Sequence, residues 1–115
     1  MTKGKWFSAK LRFAVLIETE GLVRYADSLH LFRSREFDQA FKRALEIGRN
    51  NEQSYLNGDG HKVVWKLERI VTLDIVRARS LDGAEVYSEF VSAADPNLPV
   101  EHTFSPEQSP PEQTI

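Results

Sequence analysis

Residues 5–32, "KWFSAKLRFAVLIETEGLVRYADSLHLF", decide the fold. Phe7, Ala9, Leu11, Phe13, Val15 and Ile17 recur with a period of two and point one way. Trp6, Ser8, Lys10, Arg12, Ala14 and Leu16 alternate with them and point the other. That pattern predicts a long strand buried on one face. A second β-prone run, residues 22–32, follows the turn residues "TEG". Two hairpin registers compete. A two-residue loop at Glu20-Gly21 sets Phe13 opposite Ser28 and Leu11 opposite His30. A three-residue loop at Thr19-Glu20-Gly21, with Gly21 left-handed, sets Ile17 opposite Val23, Val15 opposite Tyr25, Leu11 opposite Leu29 and Ala9 opposite Leu31. The second keeps the apolar faces together, and a slip of one residue would invert them, so it is the register expected. Its one conflict is Asp27 opposite Phe13, which a bulge would relieve.

Downstream, Ser34 is placed to cap a helix whose apolar stripe is Phe37, Ala40, Phe41, Ala44, Leu45 and Gly48, fraying by Asn50-Asn51. "NNEQSYLNGDG", residues 50–60, reads as a loop. Val63 to Arg79 reads as a third strand, with Val63, Trp65, Leu67, Val71, Leu73 and Ile75 on the core face. Asp82-Gly83 is a hairpin signal that leads to a fourth strand ending near Val91 and pairs Ile75 with Phe90. The expectation is an α+β fold, ββαββ. Its four-stranded antiparallel sheet has order 2-1-3-4, with 2-1-4-3 as the alternative, and the helix packs on one face.

The chain of 115 residues suits one domain, residues 1–92, followed by a tail. That tail, residues 93–115, holds all five prolines, has few apolar residues and shows no periodicity, so it is expected to be disordered. All 15 basic residues precede position 92, against 13 acidic ones, while the tail carries four acids. Such a balance lacks the dense basic patch of a nucleic-acid footprint. There are no cysteines, which excludes disulfides and thiolate chemistry and fits a reducing cytoplasm. Lys10 and Arg12 interrupt the first apolar run, and Phe13 to Ile17 is too short for a signal sequence or a membrane span.

Serines follow an aromatic residue at Phe7-Ser8 and Tyr87-Ser88. A nucleophilic serine needs a base and an oxyanion cradle, and no G-x-S-x-G elbow is present. Ser8 is read as the polar beat of its strand and Ser88 as a small hydroxyl facing the core. His30, His61 and His102 lack ligand spacing, and the partial calcium-loop match at Asn57, Asp59 and Gly60 fails because Tyr55 and Lys66 fall on ligand positions. No phosphate loop or dinucleotide fingerprint is found, and no cofactor is expected.

The remaining candidate is the sheet face away from the helix. Trp6, Ser8, Lys10, Arg12, Arg24, Ser28, His30 and Phe32 are expected there, joined by Lys66, Glu68, Tyr87 and Glu89 from the second hairpin, with Lys10 directly opposite His30. Mixed charge with a few aromatics suits a protein partner. An ordinary solvated sheet face is the simpler account, but Trp6, Leu16, Leu22, Phe32, Ile70 and Val76 are more apolar than such a face requires. Two copies stacking these faces would cover them.

W-F-S-A-K-L-x-F at residues 6–13 and D-G-x-E-V-Y-S at residues 82–88 resemble the opening and closing motifs of the bacterial domain of unknown function 4288 family. Its W-Y-S-A and E-V-Y-S motifs are matched at Trp6, Ser8, Ala9, Glu85, Val86, Tyr87 and Ser88, and Phe7 replaces the usual tyrosine. V-V-W-K-L-E, residues 63–68, is similar too. The resemblance covers residues 5–91 and excludes the tail. It implies a bacterial, cytoplasmic origin and supplies no activity or cofactor.

The sequence therefore favours a non-enzymatic interaction module that uses the open face to bind a protein partner or a second copy. The alternative is a small-ligand or RNA-binding domain on the same face, with Trp6, Phe32 or Tyr87 as stacking platforms. The near-neutral body argues against nucleic acid, and an enzyme is the least supported class.

Overall fold

The computed structural model describes residues 4–92 and 106–108; the expected disorder of the tail falls almost wholly outside them. Strands β1 (Lys5–Ile17) and β2 (Gly21–Ser34) form the first hairpin. Its turn is closed by the Glu20 N–H donating to the Ile17 carbonyl at 2.9 Å, and Gly21 adopts φ +76° where the ladder starts opposite Ile17. Pairing thus begins two residues earlier than the expected register. A bulge at Val23 then absorbs one residue, so Val15 faces Arg24, Leu11 faces Ser28, Ala9 faces His30 and Phe7 faces Phe32.

The net slip of one residue exchanges the two faces of β2. Phe32, expected on the open face, is buried at 5% exposure and stacks on Phe7 with ring centroids 6.1 Å apart. His30, Ser28 and Arg24 also share the register positions of the β1 core face. Tyr25, Asp27, Leu29 and Leu31 move to the outer face. The conflict at Asp27 disappears, because its partner is Arg12 and not Phe13.

Helix α1 (Phe37–Asn50) follows. Its N-cap is Glu36, without a side-chain cap bond, while Ser34 ends β2 and donates from Oγ to the Glu36 carbonyl at 3.5 Å. The buried stripe is Ala40, Ala44 and Gly48. Small residues let the helix backbone approach the sheet closely; a Cβ added at Gly48 would lie 2.7 Å from Leu67 Cδ2. Phe37 and Phe41, assigned to the core from their spacing, are exposed, Phe41 at 45%. Asn51 Nδ2 donates to the Ile47 carbonyl at 2.7 Å and closes the helix end.

A short strand missed by the sequence reading, β3 (Gln53–Leu56), pairs antiparallel with the start of β4 (Lys62–Ile75). Their turn is held by Asn57, whose Oδ1 accepts from the Asp59 and His61 amides at 2.9 and 3.0 Å, with Gly60 at φ +79°. Just before the start of β3, Glu52 accepts at Oε2 from the Leu67 amide at 2.9 Å. β4 carries bulges at Glu68 and Val71 against β1. Two bulges restore the original phase, so Val63, Trp65, Leu67, Leu73 and Ile75 keep the expected side, but Ile70 takes the core place assigned to Val71.

The Val76 amide donates to the Trp6 carbonyl at 2.8 Å. β1 begins at Lys5, so residues beyond Val76 have no ladder to join, and β4 ends sooner than expected. The Asp82-Gly83 turn does form, with Gly83 at φ +79° and the Ala84 amide donating to Leu81 at 3.1 Å. Residues 84–91 are not a strand, however, and the Ile75–Phe90 pair is absent, Phe90 being fully exposed. The sheet order is β2-β1-β4-β3, correcting 2-1-3-4: the fourth strand is Gln53–Leu56 and not residues 84–91. β1 keeps its expected neighbours, the segments 21–34 and 62–75. The core, centred on Phe7, Ala9, Leu11, Phe13 and Phe32, lies between this sheet and Ala40 and Ala44 of α1.

Candidate functional site

The outer face of β1 carries Trp6, Ser8, Lys10 and Arg12 because its side chains alternate strictly. Arg12 faces Asp27 across the hairpin and donates from Nε and Nη2 to its two carboxylate oxygens at 2.8 and 3.0 Å. This fork-to-fork geometry is the strong form of a charge-assisted pair. It holds the Asp27 carboxyl below its ordinary range, chiefly through the hydrogen bonds from Arg12, and it raises the Arg12 guanidinium. Arg12 also lies over the Tyr25 ring, 5.9 Å from the centroid.

Lys10 is the hub. Its Nζ is 3.4 Å from the Tyr87 hydroxyl, 3.5 Å from Glu89 Oε2 and 3.7 Å from Asp27 Oδ2, and 5.0 Å from the Tyr87 ring centroid. The Tyr87 hydroxyl in turn donates to Glu89 at 3.0 Å. The ammonium is raised above its ordinary value, first by the Tyr87 hydroxyl that accepts from it, with Glu89 adding to the effect. Residues 85–89 thus reach the face as an irregular segment, where a paired strand was expected. At the start of β1, Arg33 lies over the Trp6 ring at 4.8 Å.

Ser8 is not the solvated beat of its strand. It is only 2% exposed and its hydroxyl has no hydrogen-bond partner, a condition shared by Thr72 Oγ1. Ser8 faces Asp74 and Thr72 faces Lys10, so the two unpaired hydroxyls occupy adjacent positions on this face. Neither hydroxyl is hydrogen-bonded to a base; His30 sits on the opposite side of the sheet, where its Nε2 meets Ser28 Oγ at 2.9 Å. It lines a crevice of about 210 Å³ with Phe13 and Trp65. The expected Lys10–His30 pair therefore does not exist, and Lys10 is opposite Leu29 and Thr72. Ser88, expected to face the core, is exposed.

Lys66 is exposed on the outer face opposite Ala14, away from the Lys10 cluster. Glu68 occupies a bulge and adds its field to that of Asp27 on Arg12. The structure therefore joins Lys10, Tyr87 and Glu89 directly, keeps Trp6, Ser8, Arg12 and Glu68 around them, leaves Lys66 on the same face but apart from them, and removes His30. Sequence reasoning missed Asp27, Tyr25, Leu29, Leu31 and Thr72. The signal for Asp27 was its unexplained place opposite Phe13.

Chemically, the face carries a set of fixed charges, with Lys10, Arg12 and Arg33 each held by an acid or a ring, bordered by apolar side chains. Among the described residues no group of three or more His, Asp or Glu could hold a metal ion, and no helix is long and apolar enough to cross a membrane.

Fold and face together define a small α+β domain whose curled antiparallel sheet is covered by a helix on one side and displays a charged, apolar-bordered surface on the other. The chain belongs to the family described as domain of unknown function DUF4288, whose sequence profile matches residues 6–88. Lys10 and Tyr87, which meet on the outer face, both lie within the matched span. No curated protein and no solved structure matches the chain.

Proposed function

We propose that this domain is a non-enzymatic protein-interaction module of the bacterial cytoplasm, with the outer sheet face as its docking surface. The observation that carries this reading is the juxtaposition on one face of a fixed charge cluster and a row of exposed apolar side chains. Leu22, Tyr25, Leu29 and Leu31 are between 42% and 52% exposed along β2, beside Lys10, Arg12 and Asp27. Burying that row is favourable at roughly 25 cal/mol per Å² of apolar surface. The charges would fix the register of a partner more than its raw affinity.

Lys66 and Arg69 test this reading with little risk to the fold, since both are exposed on the outer side of β4, opposite Ala14 and Arg12. Lys66→Glu with Arg69→Glu should leave circular dichroism unchanged and abolish capture of the wild type's binding partner from a lysate of the source organism. A folded double variant that retains every wild-type association contradicts the assignment.

A further inference from the structure

β2 is 14 residues long, contains no proline, and is an edge strand of the sheet, paired only with β1 among the described residues. A long edge presents a row of backbone donors and acceptors to any strand that can align with it. We propose that the strand that aligns with it is β2 of a second copy, antiparallel, so that two sheets join into one of eight strands.

The register follows from the side chains. An isologous pair needs a two-fold axis, and the faces of β2 stay matched only if residues of like parity lie opposite each other. Placing the axis at His30 sets Leu29 of each copy opposite Leu31 of the other, both leucines being outer-face and substantially exposed. It sets Asp27 opposite Arg33, also on the outer face. Moving the axis one position toward Leu29 puts Asp27 opposite Leu31; moving it the other way puts Leu29 opposite Arg33. Among the residues of β2 itself, Gly21–Ser34, only the axis at His30 pairs leucine with leucine and acid with base at once. Cross-strand pairs of these kinds are the unit of sheet stabilisation. The pairing uses the strand's edge and leaves the outer faces of both copies on one side. It therefore goes beyond the docking role proposed above and stands or falls separately from it.

The full chain contains no cysteine, so introduced thiols report on this interface alone. Light scattering of the wild type should show twice the 13.2 kDa mass of the chain in the micromolar range. Leu29→Cys and Leu31→Cys variants, carrying tags of different size, are then treated with a mild oxidant singly and as an equimolar mixture. The mixture should give disulfide-linked heterodimer several-fold in excess of the homodimer formed by either variant alone. A single-chain mass at every concentration overturns the proposal, as does a dimer whose single variants cross-link as readily as the mixture. The Lys66→Glu, Arg69→Glu protein should remain dimeric, so loss of docking and loss of pairing are read apart.

Discussion

Arg12 on β1 and Asp27 on β2 form a two-pronged ion pair across the first hairpin, at 2.8 and 3.0 Å. The pair is available only because the bulge at Val23 shifts β2 by one residue. Its pH dependence has a definite sign. The Asp27 carboxyl is depressed in the fold, so the stability it contributes is present above the ordinary carboxylate pKa, about 4, and is lost as pH falls through the depressed value. Asp27→Asn should lower stability at neutral pH and flatten the acid limb of the pH–stability curve. Urea melts from pH 7 downward check this; an acid limb identical to that of the wild type contradicts it. Charge reversal at Arg12 belongs to the same experiment, since Arg12→Glu sets two carboxylates face to face and should destabilise the fold.

Lys10 has the opposite sign. Its ammonium is raised by the Tyr87 hydroxyl and Glu89, so its contribution is full below the unfolded lysine pKa, near 10.4, and is lost as pH rises through the folded value. Lys10→Met should remove that part of the alkaline limb. Tyr87→Phe should remove much of it too, because the hydroxyl both accepts from Lys10 and donates to Glu89. If Tyr87→Phe leaves the alkaline melt unchanged, the 85–89 segment is not held at Lys10.

How far the sequence revealed these contacts differs from strand to strand. The faces of β1 were legible because alternation needs only a period of two. Those of β2 were not, because face depends on register, and register depended on where pairing begins and on a bulge that leaves no compositional mark. β4 was legible for a fortuitous reason, its two bulges cancelling by Leu73. "EVYSEFV" has the composition of a strand, yet β1 begins only at Lys5 and the segment is drawn to Lys10 on the outer face. β3 is four residues long, too short for a periodic signal, and none of its residues is buried. Of the site, the placing of Lys10, Tyr87 and Glu89 on one face was an expectation of the alternation, but their meeting was not, since the expected route was a fourth strand apart from β1 that the structure lacks; Asp27 and the exposed leucines followed the misread register.

Leu11 and Phe41 should separate sharply on truncation. Leu11 is fully buried at the centre of β1, and Leu11→Ala should cost about 3–5 kcal/mol. Phe41 is 45% exposed, and Phe41→Ala should cost no more than about 1 kcal/mol. Helical spacing alone would rank Phe41 with the core, so equal costs in chemical denaturation would restore that ranking and displace the Ala40–Ala44–Gly48 stripe.

Gly48→Ala weighs helix propensity against space. Alanine gains about 1 kcal/mol over glycine in a helix interior. The new Cβ, however, would sit 2.7 and 2.8 Å from both Leu67 methyls and 3.2 Å from its Cγ, so rotating the end of that side chain does not clear it. Overpacking of this kind costs about 1–3 kcal/mol, and the net should be a loss. A raised melting temperature would show that the helix stands off further from β4.

The docking role of the outer face is tested most directly by photo-cross-linking in the source organism. A photoreactive residue replaces Lys66 on the outer face in one variant and Lys42 on α1, across the sheet, in another; both positions are exposed. The account predicts a discrete protein adduct from position 66 and none from position 42. Adducts from position 42 with none from position 66 would place the docking surface on the helix and contradict it.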